Sequence, residues 1–238
     1  RPVLHMGSHL IVDGQACGLQ ALDSGYTYER ERPLGVEQRP ALKASEAHKL
    51  LEICQDVRWD TGLNAYLLAG WLAVAPICGI LRWRPHLFIT GPAGSGKSTV
   101  VRDVVARSLG DLAKQFVGAT TEPGMRKKLG YDALPVLFDE AEAEDSRDQA
   151  RMQSILDLVR QASSESDATI AKGSQSGKDE AVEFKVRSAF CFSAINLPIS
   201  RKADAGRISV LQLAPAPRDP VEQQQQEESY ERLKHKID

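Results

Sequence analysis

Apolar positions along this chain change their period several times, and the changes divide it. Over residues 1–40, short runs such as His9-Leu10-Ile11-Val12-Asp13-Gly14 stop at glycine. They predict a β-rich, irregular stretch with a hairpin arm, too short for its own core and read as the end of a preceding domain or a collar. Ser45 to Val57 carries helical spacing, and Leu63 to Leu81 continues as a long run rich in Leu, Ala and Ile. That run has the length of a membrane span, but Asn64, Tyr66, Gly70 and Pro76 interrupt it and Arg82 and Arg84 follow. It reads as a buried core helix broken near Pro76, within a helical lead-in over 41–84.

Across 85–214, apolar runs alternate with amphipathic stretches, which predicts an α/β core with a parallel sheet covered on both faces. The strands expected are Leu87–Thr90, Gln115–Gly118, Pro135–Phe138, Ala189–Ala194 and Ile208–Leu213. A long helix is expected over Ser146–Gln161, with Met152, Ile155, Leu156 and Val159 on one face. Pro215, Pro217 and Pro220 then end regular structure. The polar tail, 215–238, is expected to form a solvated helix anchored only by Tyr230, Leu233 and Ile237.

Composition narrows the partners. With 238 residues and a formal net charge of −2, the chain has no global basic field, so any nucleic-acid contact must come from a local patch. Cys17, Cys54, Cys78 and Cys191 are scattered, with no CxxC pair and no adjacent histidine cluster. That argues against a zinc site or a disulfide scaffold and for a reducing, cytoplasmic setting. Neither a signal peptide nor a membrane helix is read, so no membrane partner is expected. The chain opens at Arg1 without a methionine, and is read as a fragment of something longer.

The first chemistry lies between the strand ending at Thr90 and the helix that follows. Gly91-Pro92-Ala93-Gly94-Ser95-Gly96-Lys97-Ser98, with Thr99 next, is a glycine-rich turn whose backbone N–H groups and helix N-terminus suit phosphate. Lys97 supplies a cation for the β- and γ-phosphates of ATP, and the Ser98 hydroxyl suits Mg²⁺. A plain glycine turn would leave the Lys-Ser pair unexplained.

About forty residues on, Leu134 to Phe138 is an apolar run ending in Asp139-Glu140. Asp139 would join the Mg²⁺ shell and Glu140 would polarise the attacking water. The bland alternative is an acidic first turn of a helix. Glu142, Glu144 and Asp145 read as a solvated face. A further apolar strand ends at Asn196, whose amide would orient the lytic water, unless it only makes an Asx turn before Pro198.

Arg207, at the mouth of the last strand, would reach a neighbouring subunit's nucleotide and stabilise charge on its γ-phosphate. Arg201 competes for that role, and a surface ion pair with Asp204 is the plain alternative. Residues 168–186 read as an inserted hairpin with Lys172 and Lys178 at a Gly/Ser-rich tip. In a ring such tips would converge and grip a phosphate backbone; alone, they are an ordinary surface hairpin.

With these motifs in this order, the chain resembles the AAA+ ATPases, and within them the helicase half of phage, prophage and plasmid primase–helicases, akin to superfamily 3. Gly70 to Gly79, Arg82 to His86, Gly118 to Glu122 and Phe190 to Asn196 carry the likeness, over about 45–214. The resemblance implies a three-layer P-loop sandwich with sheet order 5-1-4-3-2, preceded by a small helical region. It also implies a hexameric ring driven by ATP and Mg²⁺ along DNA, single-stranded by expectation, with Lys172 and Lys178 as the DNA contacts. The usual carboxy-terminal helical lid of AAA+ proteins is not evident in the polar tail, and the helices of 45–81 are expected to fill its place. The rival expectation is a nucleotide switch that loads or remodels a protein partner without unwinding DNA.

Overall fold

The computed structural model describes residues 2–34, 43–139, 145–164, 186–195 and 206–237. Residues 1–40 and 41–238 form two units.

The first unit holds an antiparallel sheet of β1 (Val3–His5), β2 (Leu10–Val12) and β3 (Gln15–Cys17). Val12 pairs with Gln15, so Asp13-Gly14 is a two-residue hairpin turn. Both turn residues have positive φ, 50° and 78°, the conformation that an Asp-Gly pair tolerates best.

The second unit is built on five parallel strands: β4 (His86–Thr90), β5 (Lys114–Val117), β6 (Val136–Asp139), β7 (Phe190–Ser193) and β8 (Ile208–Gln212). They lie in the order β5-β6-β7-β4-β8. Each strand falls within about a residue of its expected place, because short apolar runs bounded by polar residues locate buried strands well. Alternation along them feeds two cores. Leu87, Ile89, Leu137, Cys191 and Leu211 face one side, and Phe88, Val136, Phe138, Phe190 and Phe192 the other.

The Leu/Ile side is covered by four helices. They are α1 (Ala44–Gln55), α2 (Leu63–Val74), α3 and α6 (Pro220–Ile237). Helix α3 joins three consecutive segments, Lys97–Thr99, Val100–Ala106 and Arg107–Leu109, the middle one wound as π-helix. The phenylalanine side is covered by α4 (Glu122–Leu129) and α5 (Ser146–Ala162). Register sets Phe116 beside Phe138, Phe138 beside Phe192, and Phe192 beside Phe88. Burying each such ring is worth roughly 1.5–3 kcal/mol.

Local signals start these helices. Asp145 Oδ1 accepts the Asp148 N–H at 2.8 Å ahead of α5, and Thr121 Oγ1 accepts the Gly124 N–H at 3.3 Å ahead of α4.

Two expectations need correction. The run from Leu63 is helical to Val74 and then a 3₁₀ segment, Ala75–Ile80, as Pro76 dictates, but it is buried on one face only. Leu68 and Trp71 enter the core while Leu63, Tyr66 and Ile80 are each more than half exposed. A helix laid on a sheet buries one stripe, and length plus hydropathy cannot reveal the other. By those two measures alone Leu63–Ile80 is long and apolar enough to cross a membrane.

Pro220, in turn, does not end structure but opens α6, where its missing N–H costs nothing. Asp219 Oδ1 accepts the next N–H, from Val221, at 2.8 Å. Helix α6 docks through Tyr230 and Leu233, both buried.

Candidate functional site

Strand β4 ends at Thr90 and α3 begins at Lys97, so Gly91–Gly96 form a loop at the C-terminal edge of the sheet. Gly94 and Gly96 sit at φ 75° and 90°, left-handed positions that let the chain reverse and enter the helix. Gly91 is required by space: a Cβ there would lie 2.6 Å from Ser95 Oγ and 3.0 Å from Leu213 Cβ.

Gly96 is the N-cap of α3 and supplies no capping side chain, so the first N–H groups of the helix have no side-chain acceptor. Lys97 folds over the loop, donating to the Gly91 carbonyl at 2.8 Å and the Pro92 carbonyl at 3.0 Å. Ser98, one residue on, is exposed. Ser95 Oγ is buried and has no hydrogen-bond partner among the described residues. A loop with a cation at its mouth, uncapped amides and an unsatisfied hydroxyl is chemically suited to an anion with several oxygens.

Asp139 ends β6, two strands from β4, with β7 between. Two interstrand gaps put it about 10 Å across the same edge. It shares parity with Leu137, on the face that α3 covers. The electrostatics agree: the Arg102 guanidinium on α3 is held more firmly protonated by Asp103 first and by Asp139 beyond it. Burial pushes the Cys191 thiol up to about 12, and the Asp139 charge adds to that push. Thr90 Oγ1 donates to the Ile195 carbonyl at 2.8 Å, tying the end of β7 to the residue that opens the loop.

Among the described residues, no three His, Cys, Asp or Glu side chains gather as a metal site.

The structure thus brings Gly91–Thr99 and Asp139 to one edge. It places Arg207 at the other. Arg207 precedes β8, whose Ile208 is level with His86 at the start of β4, so the length of the strand, about 16 Å, separates it from its own loop. Its guanidinium lies 5.9 Å from the centre of the Trp83 ring. Glu140, Asn196, Lys172, Lys178 and the competing Arg201 lie outside the described residues.

One contact was invisible from the chain. Tyr230 of α6 lies against the loop: a Cβ on Gly96 would be 2.8 Å from its Oη. The only signal was a buried aromatic residue in an otherwise polar helix.

No protein-family profile and no curated protein matches this sequence. Solved structures give a loose likeness. A JCV helicase bound to a small molecule superposes with a TM-score of 0.44 at 11% identity, covering 82% of this chain and 53% of that one. The apo C-terminal region of NrS-1 gives 0.45 at 14% identity, covering 86% and 46%. A second JCV helicase structure gives 0.41 at 11%. The chain spans about half the length of these structures, and the likeness concerns their fold alone.

Proposed function

We propose that this chain is an ATP-hydrolysing motor domain, the ring-forming DNA helicase part of a phage or mobile-element primase–helicase. One observation carries the nucleotide reading. A loop with uncapped helical amides and a lysine at its mouth shares one sheet edge and one face with Asp139.

In this reading Gly91–Thr99 cradle the triphosphate and Lys97 meets its terminal phosphates. Ser98 and Asp139 would hold Mg²⁺, which when bound offsets phosphate charge. Glu140 accepts the proton of the attacking water, and the Asn196 amide orients that water. The placement of Arg207, a strand length from its own loop, supports a role at a neighbour's nucleotide. A head-to-tail ring, hexameric by analogy, brings such opposite edges together. DNA, single-stranded, would run against Lys172 and Lys178.

The test is the ATPase rate of the purified protein with and without single-stranded DNA. Turnover that rises with DNA, and is lost in Glu140→Gln, is expected. Turnover indifferent to DNA and to Lys172→Ala plus Lys178→Ala would favour the partner-remodelling switch instead. Undiminished turnover in Glu140→Gln would remove the base.

A further inference from the structure

The chain has three tryptophans, and two of them serve the fold. Trp71 is buried and donates its indole N–H to the Pro85 carbonyl at 3.1 Å, and Trp59 donates to the Cys54 carbonyl at 2.8 Å. Trp83 differs, because it is 52% exposed, and the half left in water adds nothing to the core. What its ring holds is Arg207, whose guanidinium carbon lies 5.9 Å from the ring centre, within reach of a cation–π contact.

Both partners stand on firm backbone. Trp83 pairs with Ser164 in an antiparallel bridge just past the end of α5. The next residue, Arg84, donates its N–H to the Ser163 carbonyl at 2.7 Å and its side chain to the Cys78 and Ala162 carbonyls. Arg207 leads directly into β8, whose Ile208 is level with His86 of β4, three residues after Trp83. The two side chains therefore come from adjacent parallel strands at one edge. Arg207 Nε is out of contact with solvent, while the residue as a whole is part exposed. An arginine free in water samples many rotamers; laid on a ring, it is ordered before it meets a ligand.

We infer that Trp83 is a positioning residue, whose ring holds the Arg207 guanidinium at the N-terminal edge in the conformation that meets the γ-phosphate bound on a second copy of this chain. The inference rests on the role at a neighbour's nucleotide proposed above for Arg207, and adds the group that acts through it. Trp83 itself touches no substrate. It lowers the ordering cost of Arg207 as charge builds on the phosphate, so it acts on turnover and not on ATP affinity.

The experiment is steady-state ATPase kinetics on the whole assembled chain, arranged as a double-mutant cycle. Arg207→Ala should lower kcat by about a thousandfold, the scale for a charge-stabilising arginine supplied by a neighbour. Trp83→Leu should lower kcat roughly tenfold, the effect of losing one cation–π contact and the order it imposes, with KM for ATP unchanged. Trp83→Phe, which keeps an aromatic face, should restore most of that loss. In the Arg207→Ala background, Trp83→Leu should cost nothing further. Lys97→Ala and Arg207→Ala chains, mixed, should regain turnover, since an intact loop then meets an intact arginine.

If Trp83→Leu and Trp83→Gln both keep the wild-type kcat, Trp83 positions nothing. If Trp83→Leu lowers turnover by the same factor with and without Arg207, it does not act through that residue. Glutamine suits a half-exposed position, so a folding defect in the leucine variant, read by circular dichroism and Tm, does not hide the result. Unchanged turnover in Arg207→Ala, or a mixture with Lys97→Ala that stays inactive, instead removes the arginine's role at a neighbour's nucleotide, and the inference falls with it.

Discussion

At the N-terminal edge of the parallel sheet, Arg84 is buried and donates to the Cys78 and Ala162 carbonyls, both at 3.0 Å. Beside it the Phe190 N–H donates to His86 Nδ1 at 3.1 Å, which leaves the ring proton on Nε2, directed at Ser163 Oγ 3.0 Å away. Ser163 Oγ in turn donates to the Val159 carbonyl at 2.9 Å. The C-terminal edge differs. Among the described residues the Ser95 hydroxyl is buried without a partner, the Tyr230 hydroxyl has Gln226 near it, and the first amides of α3 have no side-chain cap. Both edges carry polar groups out of water, and each leaves one hydroxyl unanswered among the described residues, Ser188 Oγ ahead of β7 and Ser95 Oγ in the loop. The first edge also carries a linked network that stabilises the fold; the second is a loop of glycines with uncapped amides, suited to a ligand.

The contrast breaks most sharply at Lys97. Lys97→Ala should abolish ATP turnover and weaken ATP binding by about a hundredfold or more, the scale for removing a charged donor from a reacting phosphate. Its Tm should stay within a few degrees of wild type, as calorimetry will show. Arg84→Met is the mirror experiment. It leaves two buried carbonyls unanswered and should cost about 2–4 kcal/mol in urea unfolding while leaving tripolyphosphate affinity unchanged.

A third test uses pH. Burial first, then the charges of Arg84 and Arg207, lower His86 to about 3, well below the unfolded value. Between the two values the unfolded chain binds a proton that the folded chain refuses. Stability is therefore full above about pH 6.5 and falls as pH drops toward 3. Urea midpoints across that range should show the slope, and His86→Gln should flatten it. The smallest effect is expected at Gly96→Ala. Positive φ strains an alanine by about 1 kcal/mol, and its methyl meets Tyr230 Oη at 2.8 Å. A Tm lower by a few degrees, with weaker ATP binding, would tie the loop to α6.

Much of this was legible along the chain, for physical reasons that can be named. Buried parallel strands are short apolar runs on any reading, so Leu87–Thr90 and Ile208–Leu213 lay close to the strands observed. The turn from Gly91 to Ser98 was equally legible as a turn, because glycines at positive φ and a neighbouring helix start shape it locally. What periodicity could not settle was which apolar face is covered. Leu63 and Trp71 belong to one run and look alike in hydropathy, yet the first is 62% exposed and the second 2%.

The strand-end position of Asp139, with an aspartate's charge, follows from the chain alone. That it faces α3 beside the loop is a consequence of β7 entering between β6 and β4. Pro220 and Tyr230 show the same division. A proline read locally is a stop, and becomes a start only because Asp219 caps the helix that follows. Tyr230 read locally is one aromatic in a polar tail; its contact with Gly96 joins parts of the chain far apart in sequence, and no local interaction encodes it. The sequence by itself determined the strands, the glycine-rich loop and the acid at the strand end, since each depends on neighbours a few residues away. Tertiary structure alone decided which polar groups are satisfied and which stay open, because that depends on what the fold brings alongside them.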